Sequence, residues 1–430
     1  MSHGNTAWIL VSAAMVLLMT PGLALFYGGL VRERQVLNTM KMSFVALGVI
    51  TLQWVVIGYS LVFAPGNALI GGFEWAGLAG VTGEVNPDYG DSIPHLAFMA
   101  FQMMFAIITP ALISGAVVGR MKFKAYLLFI LLWALLVYNP IAHWVWGPGG
   151  WIGELGALDF AGGTVVHVSA GVSALVAALV LGPGRRKGGT DVPHNVPLVV
   201  LGASLLWFGW FGFNAGSALA ADGLASVAFV TTMTAAAAAV VTWVLTDMLR
   251  KGKPTATGSA IAAVVGLVAI TPAAGFVSPM SAIAIGAIAA LVSYGAMVWL
   301  RRTALDDTLD VFACHGIGGA VGSIATGVFA SLAVNPGGAD GLLFGNIELV
   351  AVQLVSVVAT AAYAATGTWL LLVIIRAFVG LRTSDQVQEH GIDLFEHAEH
   401  AYSRETLVGA AGGSERGRSR TPAEKLGYEH

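Results

Sequence analysis

Apolar runs, each close to twenty residues long, recur along nearly the whole chain and are separated by short polar linkers. A helix needs roughly 20 predominantly apolar residues to cross a bilayer. Eleven such runs are legible, at 7–31, 42–64, 93–118, 125–146, 160–182, 197–220, 225–249, 256–275, 280–300, 311–334 and 347–376. Of the 430 residues, 57% are hydrophobic and 10% charged, whereas a soluble domain carries about 25% charge. Such a chain cannot coat a water-facing surface. Its lone cysteine, Cys314, excludes a disulfide scaffold. The expected fold is an all-α polytopic membrane protein of eleven transmembrane helices. The first run does not read as a signal peptide, because Arg32 and Arg34 follow it rather than precede it.

The charges are sorted. Linkers after odd-numbered runs carry Arg32, Arg34 and Lys41, then Arg120, Lys122 and Lys124, then Arg185, Arg186 and Lys187, then Arg250, Lys251 and Lys253, then Arg301 and Arg302. Linkers after even-numbered runs carry no Lys or Arg, but hold Glu74, Glu84, Asp88, Asp91, Glu154, Asp159, Asp222 and Asp340. With the seven basic residues from Arg376 onward, all 21 fall on one side. Basic residues stay cytoplasmic, so the N-terminus is expected outside and the C-terminus inside, in a plasma membrane. The last run, Leu349 to Ile375, would make about 40 Å of helix, longer than the ~30 Å core, so it should tilt or project. The transmembrane domain is expected over 1–381 and a cytoplasmic tail over 382–430, with 412–430 expected to be disordered.

Ten spans divide into two fives. An odd number per half inverts the second half relative to the first, the inverted-repeat plan of many transporters. The fifth run contains His167-Val-Ser-Ala-Gly171 and the tenth His315-Gly-Ile-Gly-Gly319, both His-x-x-small-Gly. This 5+5 arrangement would bring the two histidines together near a pseudo-twofold axis.

Polar side chains inside apolar spans are costly and usually face a bundle interior or a cavity. His167 and His315 read either as a pathway pair or as two separately satisfied packing residues. No metal site is expected, since zinc wants three or four ligands. Asp159 opens the fifth run and has the form of a helix N-cap, about 12 Å along the helix from His167. Aromatics cluster at Phe101 and Phe105, at Trp144, Trp146 and Trp151, and from Trp207 to Phe213, where Asn214 and Ser217 adjoin. They read as an interfacial belt, which suits Trp144 and Trp151, or as a cation–π cage or hydrophobic gate.

Four segments carry a family resemblance: Thr20-Pro-Gly-Leu-Ala-Leu-Phe-Tyr-Gly-Gly29, Asp159-Phe-Ala-Gly-Gly-Thr-Val-Val-His167, Trp210-Phe-Gly-Phe-Asn-Ala-Gly-Ser217 and Asp306-Asp-Thr-Leu-Asp-Val-Phe-Ala-Cys-His315-Gly-Ile-Gly-Gly319. From Asn5 to Tyr402 the chain resembles the ammonium transporter (Amt/Mep/Rh) family, on its Amt side. The resemblance implies that Phe105, Trp146 and Ser217 form an outer ammonium recruitment site, with Asp159 as the acidic residue needed there. It implies that Phe105 and Phe213 stack as a pore gate, and that His167 and His315 are twin pore histidines. A homotrimer carrying ammonium or methylammonium is implied, with no cofactor, metal, enzymatic activity or nucleic-acid partner. A bare charge is poorly served at the bilayer centre, so ammonia, or ammonia plus a proton, is the expected species in the pore.

The tail 385–402 resembles the family's regulatory segment. Gly391, Asp393 and Tyr402 match its pattern, and Ala398 stands where a glycine is common. The resemblance implies docking of a PII-type signalling protein. The alternatives are an ammonium sensor on the same fold and a Rh-type gas channel. Trp146 and Ser217 argue against the latter. No Gly-Lys-Ser/Thr motif supports ATP-driven pumping.

Overall fold

A computed structural model of the chain describes residues 1–184 and 192–402. Arg185, Arg186, Lys187 and the segment 412–430 lie outside the described residues. Among those described there is no strand, only three isolated bridges. Ten helices are long and apolar enough to cross a membrane. They are His3–Leu30, Glu33–Phe63, His95–Ala116, Phe123–Glu154, Gly163–Leu181, Val196–Ala218, Gly223–Lys251, Pro279–Leu300, Phe312–Phe329 and Glu348–Val379. They match spans one to seven and nine to eleven of the eleven apolar runs.

Span eight differs in form. Its helix, Ala256–Ile270, has 15 residues, about 22 Å at 1.5 Å each. Pro272 has no N–H to continue the helical ladder, and buried turns replace the helix from Thr271 through Phe276. The last helix, Glu348–Val379, runs to 32 residues, in keeping with its long apolar run.

Helix starts follow ordinary capping chemistry. Asp222 accepts from Ala225 N–H at 3.0 Å and Thr255 from Gly258 N–H at 3.0 Å. Spans seven, eight and nine meet through small residues, among them Ala228, Ala235, Ala262 and Ala289, which let helix backbones approach closely. Span one packs along span six.

The linkers gather at two ends. At one, which bears the basic residues, Arg120 after span three bonds to Gly182 O after span five at 3.1 Å and to Asp306 O after span nine at 2.8 Å. At the other, Phe160 N–H donates to Pro272 O at 3.1 Å and Ser331 N–H to Phe276 O at 2.9 Å. The last two bonds tie linkers after even-numbered spans. These are called below the basic end and the acidic end.

Candidate functional site

Spans five and ten begin with π turns, Gly163–Val168 and Phe312–Ile317. π turns are rare and gather at functional sites. Each holds one histidine. His167 and His315 are buried, with their Nδ1 atoms 3.3 Å apart. The turns can meet because each contacts the glycine of the other's motif. A Cβ on Gly171 would stand 2.0 Å from Gly316 N, and one on Gly319 would stand 2.8 Å from the His167 Cβ. Both are closer than real Cβ atoms come. The His-x-x-small-Gly repeat is therefore a reciprocal clasp.

His167 Nε2 lies 3.4 Å from Thr271 Oγ1, the hydroxyl at the truncated end of span eight. That oxygen accepts from Trp210 Nε1 at 2.9 Å and donates to Leu267 O at 2.8 Å. The Trp210 ring stacks on His167 at 5.5 Å. Trp210 belongs to the sequence-predicted aromatic cluster. Thr271 carried no signal beyond its place before Pro272.

Above the pair on the acidic side, Phe213 stacks on His167 at 6.0 Å, and Phe105 covers Phe213 with ring centroids 4.2 Å apart. Phe105 also meets Trp146 edge-on at 5.9 Å. Beyond the rings opens a cavity of about 610 Å³, lined by Phe105, Trp146, Asp159 and Ser217 among others. Below them the space beside the histidines shrinks to about 10 Å³, the room of one water-sized molecule. Ser217 Oγ donates to Phe213 O at 2.9 Å, which leaves its lone pairs as acceptors. Trp146 Nε1 donates to Asp159 O at 3.0 Å, which fixes the indole at the cavity wall.

Asp159 is a cap, and a saturated one. Oδ1 accepts from the N–H groups of Gly162 and Gly163 at 2.8 and 2.6 Å. Oδ2 accepts from Thr164 N–H at 2.8 Å and Thr164 Oγ at 2.5 Å. One aromatic-cluster reading needs correction. Trp144 is 7% exposed and donates to Leu69 O at 2.8 Å, so it is packed under a loop rather than spread in a belt. Asn214 is buried and donates to Thr232 Oγ1 at 2.9 Å. Another buried histidine, His95, pairs with Tyr59 Oη at 2.7 Å and takes no part in the twin.

A model of the "Ammonium Transporter Family" matches residues 7–402. The chain belongs to the Ammonium Transporter Family. An "Ammonium transporter" of Bacillus subtilis is 52% identical, over 94% of this chain and 99% of that protein. "Ammonium transporter Amt1" of Archaeoglobus fulgidus is 47% identical, over 94% and 100%. Among solved structures, Saccharomyces cerevisiae Mep2 has a TM-score of 0.84 at 38% identity, covering 89% of this chain and 88% of that one. A structure titled "Sensor Amt Protein" gives 0.84 at 27% identity, covering 92% and 98%.

In this family member the predicted tail residues touch the membrane helices. Asp393 accepts from Leu37 and Asn38 N–H at 3.0 and 2.8 Å, capping the helix Val36–Gln53, whose own N-cap residue supplies no side-chain bond. Burial pushes the Asp393 carboxyl above its ordinary range. His397 Nε2 lies 2.9 Å from Asn38 Oδ1, and Nδ1 lies 3.2 Å from Lys41 Nζ. Burial and the Lys41 charge hold that imidazole below its usual range. Gly391 fits against Arg34, and Tyr402 Oη lies 3.0 Å from His194 Nε2. Ala398 takes the left-handed conformation at φ 56°, so the turn keeps its glycine-like shape without the glycine. Among the described residues no group of three or more His, Cys, Asp or Glu could hold a metal ion.

Proposed function

We propose that this chain carries ammonium across a membrane by recruiting the cation at the acidic end and passing ammonia between His167 and His315. The observation that carries the reading is the abrupt change at the Phe105–Phe213 pair, from a wide cavity to a water-sized slot ending on two contacting histidines. Names of relatives and family membership support ammonium as the substrate, and a transport role is not an enzymatic one.

The physical sequence runs inward. The Trp146 ring and the Ser217 lone pairs suit a small cation with N–H donors, and Asp159 fixes the turn beside them. Moving a bare charge to the bilayer centre costs from about 2.5 to about 17 kcal/mol. Ammonium therefore gives its proton to water of the outer cavity near the phenylalanine gate, and ammonia enters the slot. Thr271 spends its one proton on Leu267, so it meets His167 Nε2 only as an acceptor. His167 then holds its proton on Nε2 and accepts at Nδ1 from the Nδ1–H of His315. This leaves His315 Nε2 as an acceptor for the N–H of ammonia.

The reading extends to the whole chain. Span eight, completed by its buried turns, makes the eleventh crossing and sets the N-terminus outside and the C-terminus in the cytoplasm of a plasma-membrane protein. Residues 1–381 form the transport domain and 382–430 the regulatory tail. The active unit is a homotrimer, with a PII-type protein meeting the tail around Gly391, Asp393 and Tyr402. A sensor role is the second reading, carried by the likeness to the sensor structure; the 52% identity to a transporter weighs against it.

Reconstitution into liposomes tests the pathway through methylammonium uptake and ammonium-evoked current. Substituting His167→Ala, Phe213→Ala or Asp159→Ala should each alter flux or ion selectivity. Unchanged flux and selectivity in His167→Ala would reject the pathway. Capture of a PII-type protein should be lost on deleting residues 385–430, and unaltered capture would reject the docking site.

A further inference from the structure

The two halves share more than their histidines. Asp307 stands eight residues before His315, as Asp159 stands eight before His167, and Gly319 and Gly171 follow four residues after. Each aspartate accepts from the amide five residues on: Asp159 from Thr164 at 2.8 Å, Asp307 from Phe312 at 2.7 Å. Each is 9% exposed. Asp307 is therefore the counterpart, at the basic end, of the residue that caps span five at the acidic end.

Their surroundings differ. Phe312 stands where Thr164 does, and offers no hydroxyl. Asp307 Oδ1 is buried and has no hydrogen bond of ordinary geometry among the described residues, although the Val311 N–H is near enough to the carboxyl to lower its pKa. Such an atom calls for an explanation, because an ionised carboxylate with a dry oxygen is penalised. The neighbouring Asp306 shows the contrast. It pairs with Arg120 at 2.9 Å and accepts from Gly184 N–H at 2.8 Å.

Position makes Asp307 useful. The slot at the histidines is walled by Phe26. The next residue, Tyr27, shares with Val311 the space beside Gly115. Val311 and Phe312 form the first turn of span ten, which Asp307 caps. Asp307 also lies within electrostatic reach of Tyr27, the residue that follows Phe26 of the slot wall.

We propose, resting on the pathway assigned above, that Asp307 returns the proton to ammonia at the inner end. The carboxylic O–H bond breaks, an N–H bond forms, and ammonium leaves while the carboxylate stays. The carboxylate regains its proton from the inner solution, giving net ammonia transport, or by way of the histidine pair, giving net ammonium transport. Burial pushes the Asp307 carboxyl up to about 7, near the operating range that proton transfer favours. The charged and titratable groups around it are Asp310, which raises it, Arg120, which lowers it, and Tyr27 and Cys314, both within electrostatic reach.

The test uses the full chain in liposomes, with ammonium-evoked current and methylammonium uptake read from pH 5 to 9. In the parent, a component of the rate should fall as pH rises through about 7, as the acid is lost. Asp307→Asn should lower transport by about tenfold or more and remove that component, whereas Asp307→Glu should retain it with a displaced midpoint. Parent-like rate and pH profile in Asp307→Asn would overturn the proposal. If Asp307→Asn does not fold, difference infrared spectra of the parent and Asp307→Glu decide. A carboxylic acid band titrating near pH 7 that moves in the Glu variant supports the assignment, and no such band overturns it. A parent chain that moves no ammonium at all would instead fail the pathway reading.

Discussion

The acidic and basic ends of this molecule use carboxylates in opposite ways. At the acidic end Asp159 spreads its charge over backbone amides and a hydroxyl, and beside it lies an open cavity. At the basic end Asp306 is locked to Arg120, Asp307 keeps one bare oxygen, and the tail lies across the helix starts. A saturated carboxylate is a fixed feature that shapes a turn and its field. An unsaturated one is free to take up and give back a proton. On our proposals, the same spacing from a histidine yields a recognition site at one end and a proton port at the other.

Three substitutions probe that contrast. The largest effect belongs to Arg120→Ala, which removes the buried guanidinium that pairs with Asp306 at 2.9 Å. A loss of about 3–5 kcal/mol is expected, read as a lowered thermal midpoint in detergent. A loss under about 1 kcal/mol would mean that the basic end is not held by this pair. Thr164→Val removes one hydroxyl bond to Asp159 while keeping the amide bonds. About 1.5–3 kcal/mol should be lost, with transport reduced because the turn carrying His167 loosens. Parent-like stability would show that the backbone amides alone saturate Asp159. The smallest effect is a gain. Ala398→Gly relieves a left-handed alanine and should tighten tail docking by about 0.5–1 kcal/mol, measurable as slower hydrogen exchange at residues 392–397. Faster exchange there would show that the side chain's packing outweighs its backbone strain.

The fold was legible because a bilayer leaves few options. Apolar runs sufficed for ten of the spans, whereas the eighth run reads to residue 275 and its helix ends at Ile270. The π turns were not legible, since no residue pattern distinguishes them from ordinary helix. His167 and His315 stood out as polar residues in apolar runs. Their support from Thr271 and Trp210 did not, because those contacts join residues 61 and 104 positions apart. Trp144 was misread as a belt residue because its partner, the Leu69 carbonyl, lies in a distant loop. The Asp-to-His spacing of eight was present in both halves. What set the two aspartates apart was Thr164 against Phe312, a difference that gains meaning only once each cap is seen to form. In the tail, Asp393 matched a pattern, but its hold on amides 355 and 356 residues away is a property of the folded chain.

That hold has a mechanical consequence. Asp393 grips the start of span two, Glu396 accepts from Phe123 N–H at the start of span four at 3.1 Å, and Tyr402 reaches His194 just ahead of span six. Nearer the membrane, Thr383 N–H donates to Arg120 O at 2.9 Å, and Arg120 grips the linker that leads to His315. A tug on this short strap is divided among three helix ends and one linker. On the proposed pathway, a partner that shifts the strap would have leverage on the histidine pair without ever touching it.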